Sequence, residues 1–269
     1  MVFFIFDYTD IIMEKLGLVL SGGGTKGVAH AGALKFMEEK GVQPNIIAAC
    51  SAGSIVGSLY AIGKTPEEIS AFFKSVYFFN WKHFVFNQPG LVQSKIFRIY
   101  LKPIFQDMTI GDLDLDLNIV ATELVSGNQK IFEKDYKLVD AIIASCSVPG
   151  VTTPYIVGEE MYSDGGILNN FPADVIKGKC DKMIGVFVSP PQEVQLQDLN
   201  SIKGIVSRSY ELLSYRTEVY KFNYCDWLIT SKKLSKYGMF ERKTEVIDEI
   251  FEIGYQAAQD SYLDSIWKS

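Results

Sequence analysis

Apolar residues fall along the chain in short unbroken runs separated by longer stretches with helical periodicity. Leu16 to Leu20 is a short apolar run that ends at Ser21 and three glycines, the profile of a buried parallel strand feeding a turn. Val28 to Lys40 then carries Val28, Ala31, Leu34 and Met37 at helical spacing, and Gly41 supplies the stop. A second strand is predicted from Asn45 to Cys50, running into Ser51 and a small-residue helix from Ala52 to Ile62. Thr65-Pro66-Glu67-Glu68 has the order of a capped helix start, with Thr at the N-cap, Pro first in the helix and Glu placed to close a capping box. Further on, the pattern predicts helices at 94–105, 139–144, 203–222 and 244–264, and strands at 117–124, 183–188 and 227–230. Strands alternating with helices imply a single α/β domain with a mainly parallel central sheet and helices on both faces.

Composition narrows the class. Of 269 residues, 48% are hydrophobic and 22% charged, enough apolar material for a packed core and too little charge density for disorder. The net charge of −6 argues against a surface that neutralises phosphate backbones, so nucleic acid is not an expected partner. Cys50, Cys146, Cys180 and Cys225 are widely spaced and form no C-x-x-C pair, which reads as reduced thiols and not as a disulfide framework or zinc site. That usage points to a cytoplasmic protein. No stretch approaches the roughly 20 apolar residues of a membrane span, so any membrane contact is expected to be peripheral. The opening MVFFIF lacks a basic flank and a cleavage site, and Met13 heads a run that looks like a natural start. Residues 1–13 are therefore expected to be an N-terminal extension, and residues 14–265 the domain.

Candidate chemistry begins at Gly22-Gly23-Gly24-Thr25-Lys26-Gly27, between the first strand and the first helix. Such a loop can turn successive N–H groups to one side at a helix N-terminus, which suits a phosphate or the oxyanion of an acyl-transfer intermediate. The segment also satisfies G-x-G-x-x-G, but a dinucleotide site needs an acid at the end of the second strand, where this chain has Ala49-Cys50-Ser51. No Gly-Lys-Ser/Thr closes the run, which excludes a Walker A loop.

Ala49-Cys50-Ser51-Ala52-Gly53 sits where a strand passes into a helix, the setting of a nucleophile elbow. An isolated Ser-x-Gly is more often an ordinary helix cap. Ala49 also stands where G-x-S-x-G has glycine, a methyl that is tolerable if the local φ stays negative. If Ser51 is a nucleophile it needs a base, and the chain has two histidines. His30 follows the glycine loop too early in the chain for a triad of the elbow type, and His83 lies among aromatics without a partner pattern. A carboxylate is the other source of a base. Asp164, in Tyr-Ser-Asp-Gly-Gly, is followed by two glycines that allow a turn while another backbone approaches closely. Taken alone, Asp-Gly is an ordinary turn.

The motifs together resemble the patatin-like phospholipase family: Gly-Gly-Gly-Thr-Lys-Gly with Ala-His-Ala-Gly, then Cys-Ser-Ala-Gly-Ser, Ala-Ser-Cys-Ser-Val-Pro-Gly at 144–150 and Asp-Gly-Gly at 164–166. The likeness runs from Leu16 to about Tyr262, including Glu-Ile-Gly-Tyr-Gln-Ala-Ala at 252–258. It implies a three-layer sandwich and a serine acyl hydrolase that cleaves carboxylic esters of lipids through an acyl-enzyme. By the same likeness Ser51 is the nucleophile and Asp164 its direct partner without histidine. The amides of Gly22, Gly23, Gly24 and Thr25 form the oxyanion hole, and Lys26 lies where a basic residue faces a lipid phosphate. No metal or cofactor is required. An aspartate at its ordinary pKa of about 3.9 is a poor base, so burial of Asp164 is the expected device. The alternative is a lipid-binding protein on the same fold, silent because of Ala49. The aromatic stretch VYFFNWKHFVF at 76–86 is either a lid and lipid contact or core filling.

Overall fold

The computed structural model describes residues 15–76 and 89–262, apart from the side chain of Lys203. The aromatic stretch from residue 77 onward, with His83, and the N-terminal extension lie outside the described residues.

Eight strands and eight α-helices are formed by the described residues. Five strands make a parallel core: β1 (Leu16–Leu20), β2 (Ile46–Cys50), β3 (Asp116–Glu123), β7 (Lys182–Phe187) and β8 (Trp227–Thr230), in the order β3-β2-β1-β7-β8. Three further strands join through antiparallel pairing at the β3 end. β4 (Asn128–Ile131) and β6 (Glu160–Asp164) both pair with β3, and β5 (Tyr155–Val157) extends the sheet beyond β6. The parallel core follows the apolar runs, whereas the antiparallel strands are short, and β4, Asn-Gln-Lys-Ile, has no buried residue from which an apolar run could be read.

Side-chain alternation along the central strands builds a core on each face. Leu18 and Leu20 of β1, Ile47 and Ala49 of β2, and Ile184 and Val186 of β7 point to one side. There they meet α1 (Val28–Glu39), α2 (Ala52–Ala61), α5 (Leu138–Ser145) and α8 (Thr244–Tyr262). Val19, Ile46, Ala48, Cys50, Met183 and Phe187 point to the other, against Phe171 and α6 (Ala173–Ile176), with α7 (Ile202–Glu218) adding Tyr215. The central strands, buried on both faces, therefore read as continuous apolar runs. The remaining helices, α3 (Pro66–Ser75) and α4 (Phe97–Phe105), lie on the first face. No described helix is long and apolar enough to cross a membrane.

The start of α3 has the capping box expected from its sequence. The Glu68 amide donates to Thr65 Oγ1 (3.2 Å), and the Thr65 amide donates to Glu68 Oε2 (2.9 Å). Thr65→Ala is expected to lower the unfolding free energy by about 1 kcal/mol, measured by denaturant titration, with m unchanged.

Candidate active site

Each parallel strand of the core delivers its C-terminal end to the same edge of the sheet, and the predicted residues arrive there from separate elements. β2 ends at Cys50, and Ser51 takes φ 49° and ψ −122° before α2 begins. Positive φ is uncommon in a non-glycine residue and costs on the order of 1–3 kcal/mol, so surrounding bonds must hold it. The Ser51 amide donates to Ser145 Oγ at 2.8 Å. Its carbonyl accepts the Ser54 amide (2.8 Å) and the Ser54 hydroxyl (2.6 Å). Ala49 is an interior residue of β2, paired with Leu20 and Ile119, and it is not among the residues with positive φ. Its methyl is thus accommodated, and the strain falls on Ser51 alone.

Asp164 closes β6, where it pairs with Ala121 of β3. Its amide donates to Ser147 O (2.8 Å), its carbonyl accepts the Thr122 hydroxyl (3.0 Å), and Oδ1 accepts the Gly166 amide (2.8 Å). Cys50 Sγ lies 3.8 Å from Oδ1. Gly165 permits this convergence, since a Cβ there would stand 2.6 Å from Val120 O and 3.0 Å from Cys50 Sγ. The carboxyl is 5% exposed, and burial lifts its pKa from 3.8 to about 6. Hydrogen bonding by the Ser51 side chain, the Gly166 amide and the Cys50 thiol opposes that rise.

The glycine loop lies between β1 and α1 as a 3-10 turn over Gly24–Gly27. Two of its four candidate amides are engaged: Gly22 N–H donates to Asn170 O (3.0 Å), and Thr25 N–H donates to Met239 O (2.8 Å). Those of Gly23 and Gly24 have no hydrogen-bond partner among the described residues. Gly24 has φ +60°, and a Cβ there would come 2.2 Å from Met239 O, so two constraints require glycine. Gly24, Thr25, Ser51 and Ala52 line one side of a cavity of about 80 Å³, whose remaining wall is largely apolar, with Ile55, Phe73, Phe97 and Val148.

Lys26 is not brought into that cavity. It is 7% exposed, burial lowers its pKa, and the carboxylate that opposes the shift is Glu211 of α7. His30 is buried with Nε2 2.8 Å from Ser21 O; because a carbonyl only accepts, the ring hydrogen sits on that nitrogen. Burial brings its pKa down to about 4, so the ring is neutral and anchors the residue before the glycine loop. It is a packing histidine, as its place in the chain implied.

Two supports carry no signal in periodicity. Glu218 is 1% exposed and accepts the amides of Asn170 (3.1 Å) and Phe171 (3.0 Å) while pairing with Lys221 Nζ (2.8 Å), which also donates to Asn169 Oδ1 (2.6 Å). Only the removal of one partner from such a satisfied pair is expensive. The other support is the segment at Met239, whose carbonyl and that of Glu241 receive the Thr25 hydroxyl at 3.2 and 3.3 Å.

A family model described as Patatin-like phospholipase matches residues 18–177 of the chain. The chain belongs to the patatin-like phospholipase family. Among curated relatives, the patatin-like phospholipase domain-containing protein ZK370.4 of Caenorhabditis elegans is 24% identical over 287 residues, covering 92% of this chain and 21% of that protein. Patatin-like phospholipase domain-containing protein 6 of Homo sapiens is 28% identical over 280 residues, covering 90% and 20%. This patatin-family chain thus spans about a fifth of the length of the curated relatives it matches. In fold it is similar to VipD from Legionella pneumophila, with a TM-score of 0.61 at 14% identity over 94% of this chain and 67% of that one.

The buried carboxyl has a consequence for stability. A folded-state pKa of about 6 against 3.8 means that the folded protein holds the proton more tightly. Stability contributed by the neutral acid is complete below about pH 4 and is lost as pH rises through about 6, by up to about 3 kcal/mol. Asp164→Asn is expected to unfold at higher denaturant than wild type at pH 7.5, and the difference is expected to shrink towards zero as the pH approaches 4.

Proposed function

We propose that this protein is a carboxylic ester hydrolase acting on lipid acyl esters, with Ser51 as nucleophile and Asp164 as the base that serves it directly. The observation that carries the reading is the serine on a strained strand-to-helix turn, next in the chain to Cys50, whose Sγ lies 3.8 Å from the buried Asp164 carboxyl with its pKa raised to about 6. Near that pKa a carboxylate is both deprotonated at neutral pH and basic enough to share a hydroxyl proton. In this reading the Ser51 oxygen attacks the ester carbonyl carbon and its proton passes to Asp164. The carbonyl oxygen takes the negative charge opposite the amides of Gly23 and Gly24. Collapse of the tetrahedral intermediate breaks the bond to the leaving alcohol, which receives the proton from Asp164. Water then attacks the acyl-enzyme, giving a proton to Asp164, and the fatty acid leaves as Ser51 regains its own. The apolar wall of the cavity supports an acyl chain as the bound group.

The substrate reading extends to where a lipid surface meets the protein. Ile202, Ile205, Val206 and Leu213 of α7 are exposed at helical spacing, while Ser214 on the same helix donates to Gly166 O at 3.4 Å, next to Asp164. An apolar stripe this near the carboxyl suits contact with the membrane from which a lipid is drawn.

Ser51→Ala and Asp164→Asn are each expected to abolish hydrolysis of p-nitrophenyl esters and phospholipids in folded protein, and the double variant is expected to be hardly slower than either. For wild type, kcat/KM is expected to rise with pH to a plateau, half-maximal near 6, as Asp164 loses its proton. Retained turnover in Ser51→Ala would remove it as nucleophile. A drop of folded His30→Ala to the Ser51→Ala level would favour a triad.

Charging the helix face separates membrane contact from chemistry. Ile205→Asp with Val206→Asp is expected to cut co-flotation with phosphatidylcholine vesicles, and hydrolysis of vesicle lipid, far more than hydrolysis of a soluble short-chain ester. Equal losses on both substrates would place α7 outside the docking surface.

A further inference from the structure

The segment Ala-Ser-Cys-Ser-Val-Pro-Gly at 144–150 is a family motif to which no chemistry has been attached so far, yet it meets the backbone of both central residues. It begins at the C-terminal end of α5. Ser145 Oγ accepts the Ser51 amide at 2.8 Å, and both residues are buried. Two positions later, Ser147 O accepts the Asp164 amide at 2.8 Å and the Ser163 hydroxyl at 2.7 Å. The Ser147 hydroxyl turns back to Ile143 O at 2.7 Å and anchors the carbonyl to the last turn of the helix. Between them, Cys146 reaches the cavity, its Sγ 3.8 Å from Ser54 Oγ. Three consecutive residues on one helix end thus touch the elbow and the aspartate, which arrive from β2 and β6 with β3 between them.

We infer that Ser145 is a positioning residue for Ser51: its side-chain oxygen holds the amide of the strained turn, and so sets the distance between the Ser51 hydroxyl and the Asp164 carboxyl. Ser51 has positive φ, and its carbonyl is held from within α2, by the Ser54 amide and hydroxyl. Its amide is different, because Ser145 Oγ is its hydrogen-bond partner among the described residues. Loss of that acceptor leaves a buried donor unsatisfied and lets the turn relax towards ordinary dihedrals, which carries the Ser51 oxygen away from the carboxyl. Ser147, through its carbonyl, fixes the aspartate side of the same distance. Because both bonds originate on one rigid helix end, a shift of α5 moves both residues together.

This assignment rests on the reading of Ser51 as nucleophile. The test is the rate at which a fluorophosphonate probe labels Ser51, located by peptide mass spectrometry and expressed per folded molecule, together with kcat and KM on a p-nitrophenyl ester. Ser145→Ala is expected to lower both the labelling rate and kcat by about 10–100-fold, with KM unchanged within about twofold, as a misplaced attacking atom does. Ser145→Cys, similar in shape but a weak acceptor, is expected to change in the same direction and supplies the comparison if the alanine variant does not fold. Ser58→Ala removes another buried hydroxyl, on α2, which has no partner among the described residues, and it is expected to label at the wild-type rate. Labelling of Ser51 in folded Ser145→Ala or Ser145→Cys at the wild-type rate would overturn the assignment while leaving the nucleophile in place. Absence of labelling at Ser51 in the wild-type protein would overturn the nucleophile reading, and this assignment with it.

Discussion

A carboxyl group shut away from water at the end of β6 is the constraint around which this protein is arranged. Burial alone pushes such a group towards its neutral form, and the backbone bonds made to it decide how far. Asp164 is held by its own amide and carbonyl to Ser147 and Thr122, and its Oδ1 takes the Gly166 amide, so the side chain has one orientation. The antiparallel edge of the sheet exists in service of that placement. β3 keeps parallel register with β2 along one side, with Cys50 opposite Val120, and pairs with β6 along the other, with Asp164 opposite Ala121. Adjacent positions on one strand thereby bring together residues more than a hundred apart in the chain, and Gly165 lets the two backbones close over Val120.

The cost of this arrangement is spread unevenly. Strain concentrates at Ser51, desolvation at Asp164, and a fully buried ion pair at Glu218 and Lys221. Each sits against elements with little freedom to move: β1 and β2 at 0% exposure through most of their length, α5, and the start of α2. A buried ion pair stabilises only modestly against an apolar replacement. What Glu218 does provide is a fixed acceptor for the Asn170 and Phe171 amides, on the segment that leads out of Asp164-Gly-Gly. The Asn170 carbonyl in turn holds Gly22. One end of the glycine loop is therefore tied, through Asn170 alone, to a charge pair at the end of α7.

Much of the parallel core was legible because its central strands β1, β2 and β7 are buried on both faces and therefore appear as apolar runs. Helix boundaries followed from capping chemistry where it was explicit, as at Thr65 and Glu68. The antiparallel strands were not legible: β4 is polar, β5 is three residues long, and β6, Glu-Met-Tyr-Ser-Asp, has no apolar run. The turns that carry Ser51 and Asp164 are encoded by their small neighbours, and they come together where Cys50 Sγ lies 3.8 Å from the Asp164 carboxyl. The supports around them have no periodic signal: Ser145 holds the Ser51 amide, Glu218 the Asn170 and Phe171 amides, and the Met239 carbonyl Thr25, all through tertiary hydrogen bonds made by ordinary residue types. Lys26 is the converse case, a predicted residue that does not line the cavity. A basic residue in a loop suited to anions suggests a charge aimed at the ligand, but side-chain direction depends on the 3-10 turn, which carries Lys26 towards α7.

The same hydrogen bonds also limit which amides can serve an anion. A loop of four glycine-rich positions offers four donors on paper, but the two outer ones, at Gly22 and Thr25, are spent on the carbonyls of Asn170 and Met239. Those two bonds pin the loop at both ends and leave the amides of Gly23 and Gly24 between fixed points. Donors held in place before a charge develops stabilise it without reorganising, which is where the advantage of a protein site over water lies. The positive φ of Gly24 turns the backbone there, and the Met239 carbonyl leaves no room for a side chain that would brace it another way. On the proposed reading, the segment around Met239 is therefore as much part of the oxyanion site as the glycines, although it gives no atom to the substrate.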